Sequence, residues 1–175
     1  MSVGSDAVRI RAAVSADASA ITVIRNGEIA HGTALWTSRT LGSDEGAAWL
    51  ADHLAAGTVL VAEAAGEVIG FGVLGPWHPY EGYAATFEDS VYVADGARGR
   101  GVGRALLRAL LEEADGLGAR AVLAMIESGN AASVALHLAE GFRQVGQLPG
   151  VGAKFGRSLD LTLLEWQPGA TPVVG

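Results

Sequence analysis

Arginine and glycine alternate through Arg98-Gly99-Arg100-Gly101-Val102-Gly103-Arg104, the first run in this 175-residue chain whose residue types and spacing suggest chemistry. Just before it, residues 90–94 are β-branched and aromatic enough for a strand. Residues 95–101 break that strand, and from Val102 onward apolar residues recur at helical spacing. A glycine-rich turn feeding a helix N-terminus points unpaired backbone N–H groups outward, where the helix dipole favours an anion. With three arginines around it, the expected guest carries phosphate. Arg100, Arg104 and Arg108 are also spaced by four with Glu112 continuing the row, so a solvated helix face is the competing reading.

Composition narrows the classes. Lysine and arginine total 12 against 19 acidic residues, a formal net charge of −7. The arginines are therefore a local basic spot on an acidic protein, which argues against a nucleic-acid partner. Cysteine is absent, which removes disulfides, thiolate metal sites and a cysteine nucleophile together. His31, His53 and His78 show no metal-ligand spacing and read as surface or loop residues, so no metal is expected. No stretch reaches the roughly 18 consecutive apolar residues of a membrane span, and the N-terminus lacks the apolar core of a signal peptide. A cytoplasmic protein without a membrane partner is the expectation. The length suits one domain over residues 1–175, with an ordered core at about 8–167 and a frayed tail at 168–175.

The elements that must position the loop follow from periodicity. Val8 to Val14 alternates as a half-buried strand, and Ser15 caps a helix whose apolar face holds Ala20, Ile21, Ile24 and Ile29. Residues 33–42, with Trp36, read as a loop over a pocket. Ser43 is a second expected N-cap, followed by a buried stripe of Trp49, Leu50 and Leu54 that Gly57 ends. Residues 58–64 and 68–74 form two strands joined by a hairpin at Ala65-Gly66-Glu67, and residues 76–80 turn the chain. After the central strand and helix comes a parallel strand at 119–127, then a helix starting at Ser128-Gly129-Asn130 with Val134, Leu136 and Leu138 as apolar positions. Strands at 142–147 and 157–166 close the chain, separated by a glycine-rich loop at 149–156.

Three motifs in register resemble the GNAT N-acetyltransferases, and most closely their phosphinothricin acetyltransferase-like branch. Arg98-x-x-Gly101-x-Gly103 looks like that family's acyl-CoA pyrophosphate loop. Gly82-Tyr83-Ala84-Ala85-Thr86-Phe87-Glu88-Asp89-Ser90-Val91-Tyr92-Val93 is similar to the branch's A-Y-x-W-T-V-E-S-S-V-Y-V. Asn130, Ser133, Leu136, His137, Gly141 and Phe142 match N-x-x-S-x-x-L-H-x-x-x-G-F, and Gly152, Lys154 and Gly156 match G-x-K-x-G. The resemblance implies an α/β fold with a central mixed sheet of about seven strands flanked by helices. It also implies acetyl-CoA as cosubstrate, an amine acceptor and a homodimer.

The same resemblance assigns roles. Gly99, Gly101, Val102 and Gly103 would hold the CoA pyrophosphate through backbone N–H groups, with Arg98, Arg100 and Arg104 adding charge, while Val91 and Val93 would pair through their backbone with the pantetheine. Asn130 and Ser133 would contact CoA, although Asn130 also reads as a plain N-cap. Acetyl transfer needs a neutral amine, so a carboxylate must accept a proton, and Glu88 lies at the mouth of the strand for that task. The bland reading of Glu88 is an exposed strand-end glutamate. Asp89 points to the opposite face and is the weaker candidate. His137 would protonate or hydrogen-bond the departing sulfur; a satisfied, partly buried helix histidine is the alternative.

Tyr83, Trp36 and Lys154 would line the acceptor site, where Tyr83 also fits a core aromatic and Lys154 a surface charge in a mobile loop. The chain departs from the branch at Leu35-Trp36-Thr37-Ser38-Arg39-Thr40, where relatives carry an F-E-T-E-P-like run, and at Ser158, where they tend to have tryptophan. Those departures count against phosphinothricin and leave a small amino-acid-like amine, its carboxylate met by Arg39 or Lys154, as the expected acceptor. Two other classes remain: a CoA-binding sensor that keeps the loop without turnover, and, far behind, a nucleotide-binding βαβ protein, against which the missing G-x-G-x-x-G span speaks.

Overall fold

The computed structural model describes residues 7–169, so most of the expected tail at 168–175 lies outside the described residues. The chain runs β1 (Arg9–Ala12), α1 (Ala18–His31), α2 (Ser43–Ala56), β2 (Thr58–Ala64), β3 (Glu67–Pro76), β4 (Thr86–Val93), α3 (Val102–Gly116), β5 (Ala121–Glu127), α4 (Ala131–Ala139), β6 (Arg143–Lys154) and β7 (Arg157–Trp166). This is the element order read from periodicity. Seven strands form one sheet in the order β1-β2-β3-β4-β5-β7-β6. All neighbours are antiparallel except β4 and β5, the two strands that α3 connects. Among the described residues no helix is long and apolar enough to cross a membrane.

Each face of the sheet buries its own cluster. One gathers Leu106, Leu107 and Leu110 of α3 with Leu74, Val122, Ala124, Phe142 and Leu164. The other sets Ile21 of α1 and Leu50 of α2 on Val59, Val61, Phe71 and Val73. Period-2 alternation therefore divides β4: Phe87, Val91 and Val93 pack with the α3 cluster, and Tyr92 packs with the α1–α2 cluster. Gly72 lets α3 sit close, because a Cβ there would lie 2.9 Å from Leu110.

Local chemistry shifts several expected boundaries. Ser15 does not cap α1 directly; a 3₁₀ turn at Ser15–Asp17 comes first. The Asp17 carboxylate accepts the Val14 N–H at 2.8 Å and two Arg11 N–H groups at 2.8 and 2.9 Å. Gly42, not Ser43, is the N-cap of α2, and Glu45 accepts its N–H at 2.9 Å. Leu54, expected in the buried stripe, is exposed, as is Leu138. The largest correction concerns the glycine-rich loop at 149–156, most of which is strand. β6 continues to Lys154 because irregularities at Gln144/Gly146 and Leu148/Gly152 absorb the extra residues, so only Phe155-Gly156 turns the chain.

The Arg11 bonds hold the Asp17 carboxyl below its ordinary value against the opposing effect of burial, with the Val14 N–H adding to the lowering. A carboxyl depressed on folding stabilises the protein above its unfolded value and loses that contribution as pH falls through the folded one. Asp17→Ala should cost about 1–3 kcal/mol in urea unfolding near neutral pH. The gap between variant and wild type should close as the solution is taken well below about pH 4, the ordinary aspartate value.

Candidate functional site

The cleft begins where β4 and β5 stop pairing. Their parallel ladder covers only Thr86–Glu88 against Ala121–Leu123. Beyond Glu88 the strands part, leaving that edge of β4 without a neighbour. A cavity of about 600 Å³ in the opening is bordered by Val91 and Val93, by Arg98, Gly99 and Gly101 of the loop, by the start of α3, and by Asn130 and Ser133 at the start of α4. It continues into a cavity of about 310 Å³ at Glu88, Asp89, Trp36, Met125 and His137.

Gly101 is the N-cap of α3 and adopts φ 79°, a left-handed conformation that glycine reaches without strain. No side chain caps the helix; its first intrahelical bond runs from the Ala105 N–H to the Gly101 carbonyl. The N–H groups of Val102, Gly103 and Arg104 are thus left for a partner in the cleft. At Gly99 and Gly101 an added Cβ would meet nothing within 4 Å, so the loop backbone borders open space. Uncapped amides, a dipole end and open space suit a polyphosphate.

The arginines divide. Arg98 and Arg104 border the larger cavity, and both are already paired: Arg98 with Glu28 at 3.2 Å and Asp95 at 3.1 Å, Arg104 with Glu140, which also takes Arg108 at 2.7 Å. Arg100 is exposed and borders neither cavity, contrary to the expected phosphate role. Val102 turns its side chain into the core and offers only its N–H. Asn130 accepts the Ser133 N–H at 3.2 Å and is a true N-cap that also lines the cleft.

Glu88 is half-buried, and burial first, then the charge of Asp89, pushes its carboxyl above the ordinary value. It also borders a third cavity, of about 350 Å³, with Asp52, His53, Pro76 and Ser90 on the α1–α2 face. His53 is not a plain surface residue: it stacks on Trp49 at 3.9 Å and lines this space. Across the sheet His137 is buried with both ring nitrogens engaged, Nδ1 2.7 Å from the Ser133 carbonyl and Nε2 3.0 Å from Asp89 Oδ2. Burial pulls the imidazole down, but the bond and charge of Asp89 and the Ser133 carbonyl together raise it. Sequence reasoning underrated Asp89; the signal was a carboxylate on the strand face that otherwise carries Phe87, Val91 and Val93.

On the acceptor side the expected residues separate. Trp36 borders the cavity at Glu88, its Nε1–H donating to the Thr33 carbonyl at 2.8 Å. It fills the notch left by Gly152, where a Cβ would lie 2.0 Å from the indole. Lys154 is not a free cation in a mobile loop. It is buried, at the end of β6, and its ammonium donates to the carbonyls of Gly32 at 2.6 Å, Leu35 at 2.7 Å and Glu28 at 3.5 Å, clamping the loop that carries Trp36. Arg39 is spent on Glu45. Tyr83 is 43% exposed, stacks near His78 and borders none of the three cavities.

Comparison with known proteins bears on this geometry. The model of the acetyltransferase (GNAT) family matches residues 28–142. An L-methionine sulfoximine/L-methionine sulfone acetyltransferase of Pseudomonas aeruginosa is 46% identical over 89% of this chain and 92% of its own length. A phosphinothricin N-acetyltransferase of Alcaligenes faecalis is 40% identical over 91% and 82%. An acetyltransferase of Salmonella typhimurium, solved with its cofactor acetyl-CoA, superposes with a TM-score of 0.89 at 42% identity, over 97% of this chain and 98% of that one.

The clamp at Lys154 gives an expectation independent of chemistry. Lys154→Met keeps the aliphatic stem and leaves two close carbonyls without their donor, a loss of about 1–3 kcal/mol. Urea unfolding should show that loss, and hydrogen exchange should quicken over residues 32–41 while α3 stays protected.

Proposed function

The chain belongs to the GNAT acetyltransferase family, and from that premise we propose that it moves the acetyl group of acetyl-CoA onto the α-amine of a small amino acid, in one direct transfer assisted by Glu88. The observation that carries the reading is the half-buried Glu88 carboxylate at the point where β4 and β5 part, in a cleft whose far end is a loop of uncapped amides. Acetyl-CoA supplies the acetyl group as a thioester. The amides of Val102, Gly103 and Arg104 hold its pyrophosphate, Arg98 and Arg104 border that end, and the free edge of β4 at Val91 and Val93 aligns the pantetheine. Asn130 and Ser133 line the other wall.

An α-ammonium must lose a proton before its lone pair can attack. Glu88 accepts it, directly or through water, and its raised pKa brings it nearer to the working pH. As the nitrogen–carbon bond forms and the carbon–sulfur bond breaks, the sulfur leaves with the electron pair on the side of the cleft that holds His137. There the charged ring opposes the developing negative charge. Trp36 shapes the acceptor wall, and relatives that act on methionine sulfoximine and phosphinothricin put amino acids with a polar tetrahedral side-chain end first among acceptors. A single domain over the whole chain, working as a homodimer in the cytoplasm, completes the reading; β6 is an edge strand with Val145, Leu148 and Val151 exposed, a surface suited to a second copy. A sensor that only binds acyl-CoA has no use for a carboxylate at this point in the cleft.

Thiol release from acetyl-CoA, measured across L-methionine sulfoximine, L-methionine sulfone, phosphinothricin and the ordinary amino acids, should single out one or a few of them. Tight acetyl-CoA binding with no stimulation by any amine would leave the sensor standing. Glu88→Gln should lower kcat/KM by about 10²–10⁴-fold with the fold intact. Because Glu88 is raised, wild-type kcat/KM should decline as pH falls through a value above the ordinary 4.5. Gly101→Val forces a β-branched residue to φ 79°. Calorimetry should find acetyl-CoA affinity at least about tenfold weaker, since a misplaced first turn loses its amide contacts.

A further inference from the structure

The hydrogen bonds around His137 do not close for a neutral histidine beside an ionised aspartate. The Ser133 carbonyl can only accept, so Nδ1 carries a proton. Nε2 then faces Asp89 Oδ2 at 3.0 Å, and a bare Nε2 against a carboxylate would set lone pair against lone pair. One further proton must lie between them. Both side chains are almost fully buried, at 4% and 1% exposure. The ring is fixed from the side by Phe142, edge-on at 4.9 Å. Asp89 Oδ1 is also buried and has no partner among the described residues, although Asp89 borders the cleft. A carboxylate kept only to anchor a helix would not leave half its acceptors unused in a low-dielectric site.

We infer that Asp89 is a positioning residue for the reaction proposed above: as a carboxylate it holds His137 as a doubly protonated imidazolium on the thioester side of the cleft. The inference rests on the transferase reading for its purpose, not for its geometry. Asp89 and Glu88 project to opposite faces of β4 yet both border the same cavity. Two other carboxylates near the cleft are already engaged. Glu127 on β5 accepts from Thr33 at 2.9 Å and from the Gly129 N–H at 2.8 Å, and Glu140 after α4 takes Arg104 and Arg108 of α3. Tyr92, beyond Ser90 on the Glu88 face, is half-buried, and burial raises its hydroxyl above the ordinary value. Asp89 is thus the carboxylate placed to hold the His137 ring charged.

The test is ¹⁵N NMR of the full-length protein labelled at histidine, beside pH profiles for wild type and Asp89→Asn. His137 in the wild type should show both ring nitrogens protonated at pH 7.5, about one unit above the ordinary histidine value. In Asp89→Asn it should carry a single proton at the same pH. kcat in Asp89→Asn should fall by about tenfold or more as the ring loses its charge, while the acid limb of kcat/KM stays near its wild-type position, because the carboxylate and the imidazolium charge are lost together. A singly protonated His137 ring in the wild type overturns the inference without any variant. So does an Asp89→Asn protein whose ring protonation is unchanged. Should Asp89→Asn fail to fold, the wild-type spectrum decides alone. A doubly protonated ring in a protein that acetylates no amine upholds the pair and counts against the transferase reading.

Discussion

The site depends on a hydrogen-bond ladder that stops. After Glu88 the parallel pairing of β4 with β5 ends, and two strands that would otherwise satisfy each other diverge. The edge so exposed is costly only if nothing covers it, because unpaired backbone N–H and C=O groups seek partners. A ligand with its own amides can supply them, which is the part the proposed function gives to the pantetheine. The same divergence opens the sheet from side to side, which is how Glu88 comes to border cavities on both of its faces.

What surrounds the gap acts to hold it in shape. α3 packs on β3 through Leu110 over Gly72, which sets the height at which its N-terminus meets the cleft. Glu140 ties α3 to the end of α4 through two arginines. The loop after α1 is stitched at both ends, by Asn26 bonding the N–H and C=O of Leu41 and by the Lys154 ammonium on three carbonyls. The walls of the cleft are therefore fixed by polar contacts outside the two apolar cores.

Much of this was legible in the sequence. Element order followed from apolar period and glycine punctuation, and the uncapped helix start followed from Gly101 entering a helix. The hidden parts share a physical cause, the pairing of residues far apart in the chain. Lys154 reads as a surface charge until Gly32 and Leu35 are brought to it, and Arg100 is not told apart by spacing from Arg98 and Arg104, which border the cleft while it does not. The strand through residues 149–154 was masked by its glycines, whose low propensity is overridden by the β7 ladder. Asp89 was discounted for facing away from Glu88, and that direction is what brings it to His137.

The notch at Gly152 carries a consequence for how acceptor preference can change. The indole of Trp36 occupies the volume that a side chain at 152 would need. The two positions are far apart in the chain, one in the loop after α1 and one in β6, yet they share a single pool of space. A smaller residue at 36 alone opens a void, and a larger one at 152 alone produces a collision; either route passes through a poorly packed intermediate. If Trp36 shapes the acceptor wall as proposed, residues 36 and 152 form a matched couple, and divergence there should proceed by paired exchanges of volume.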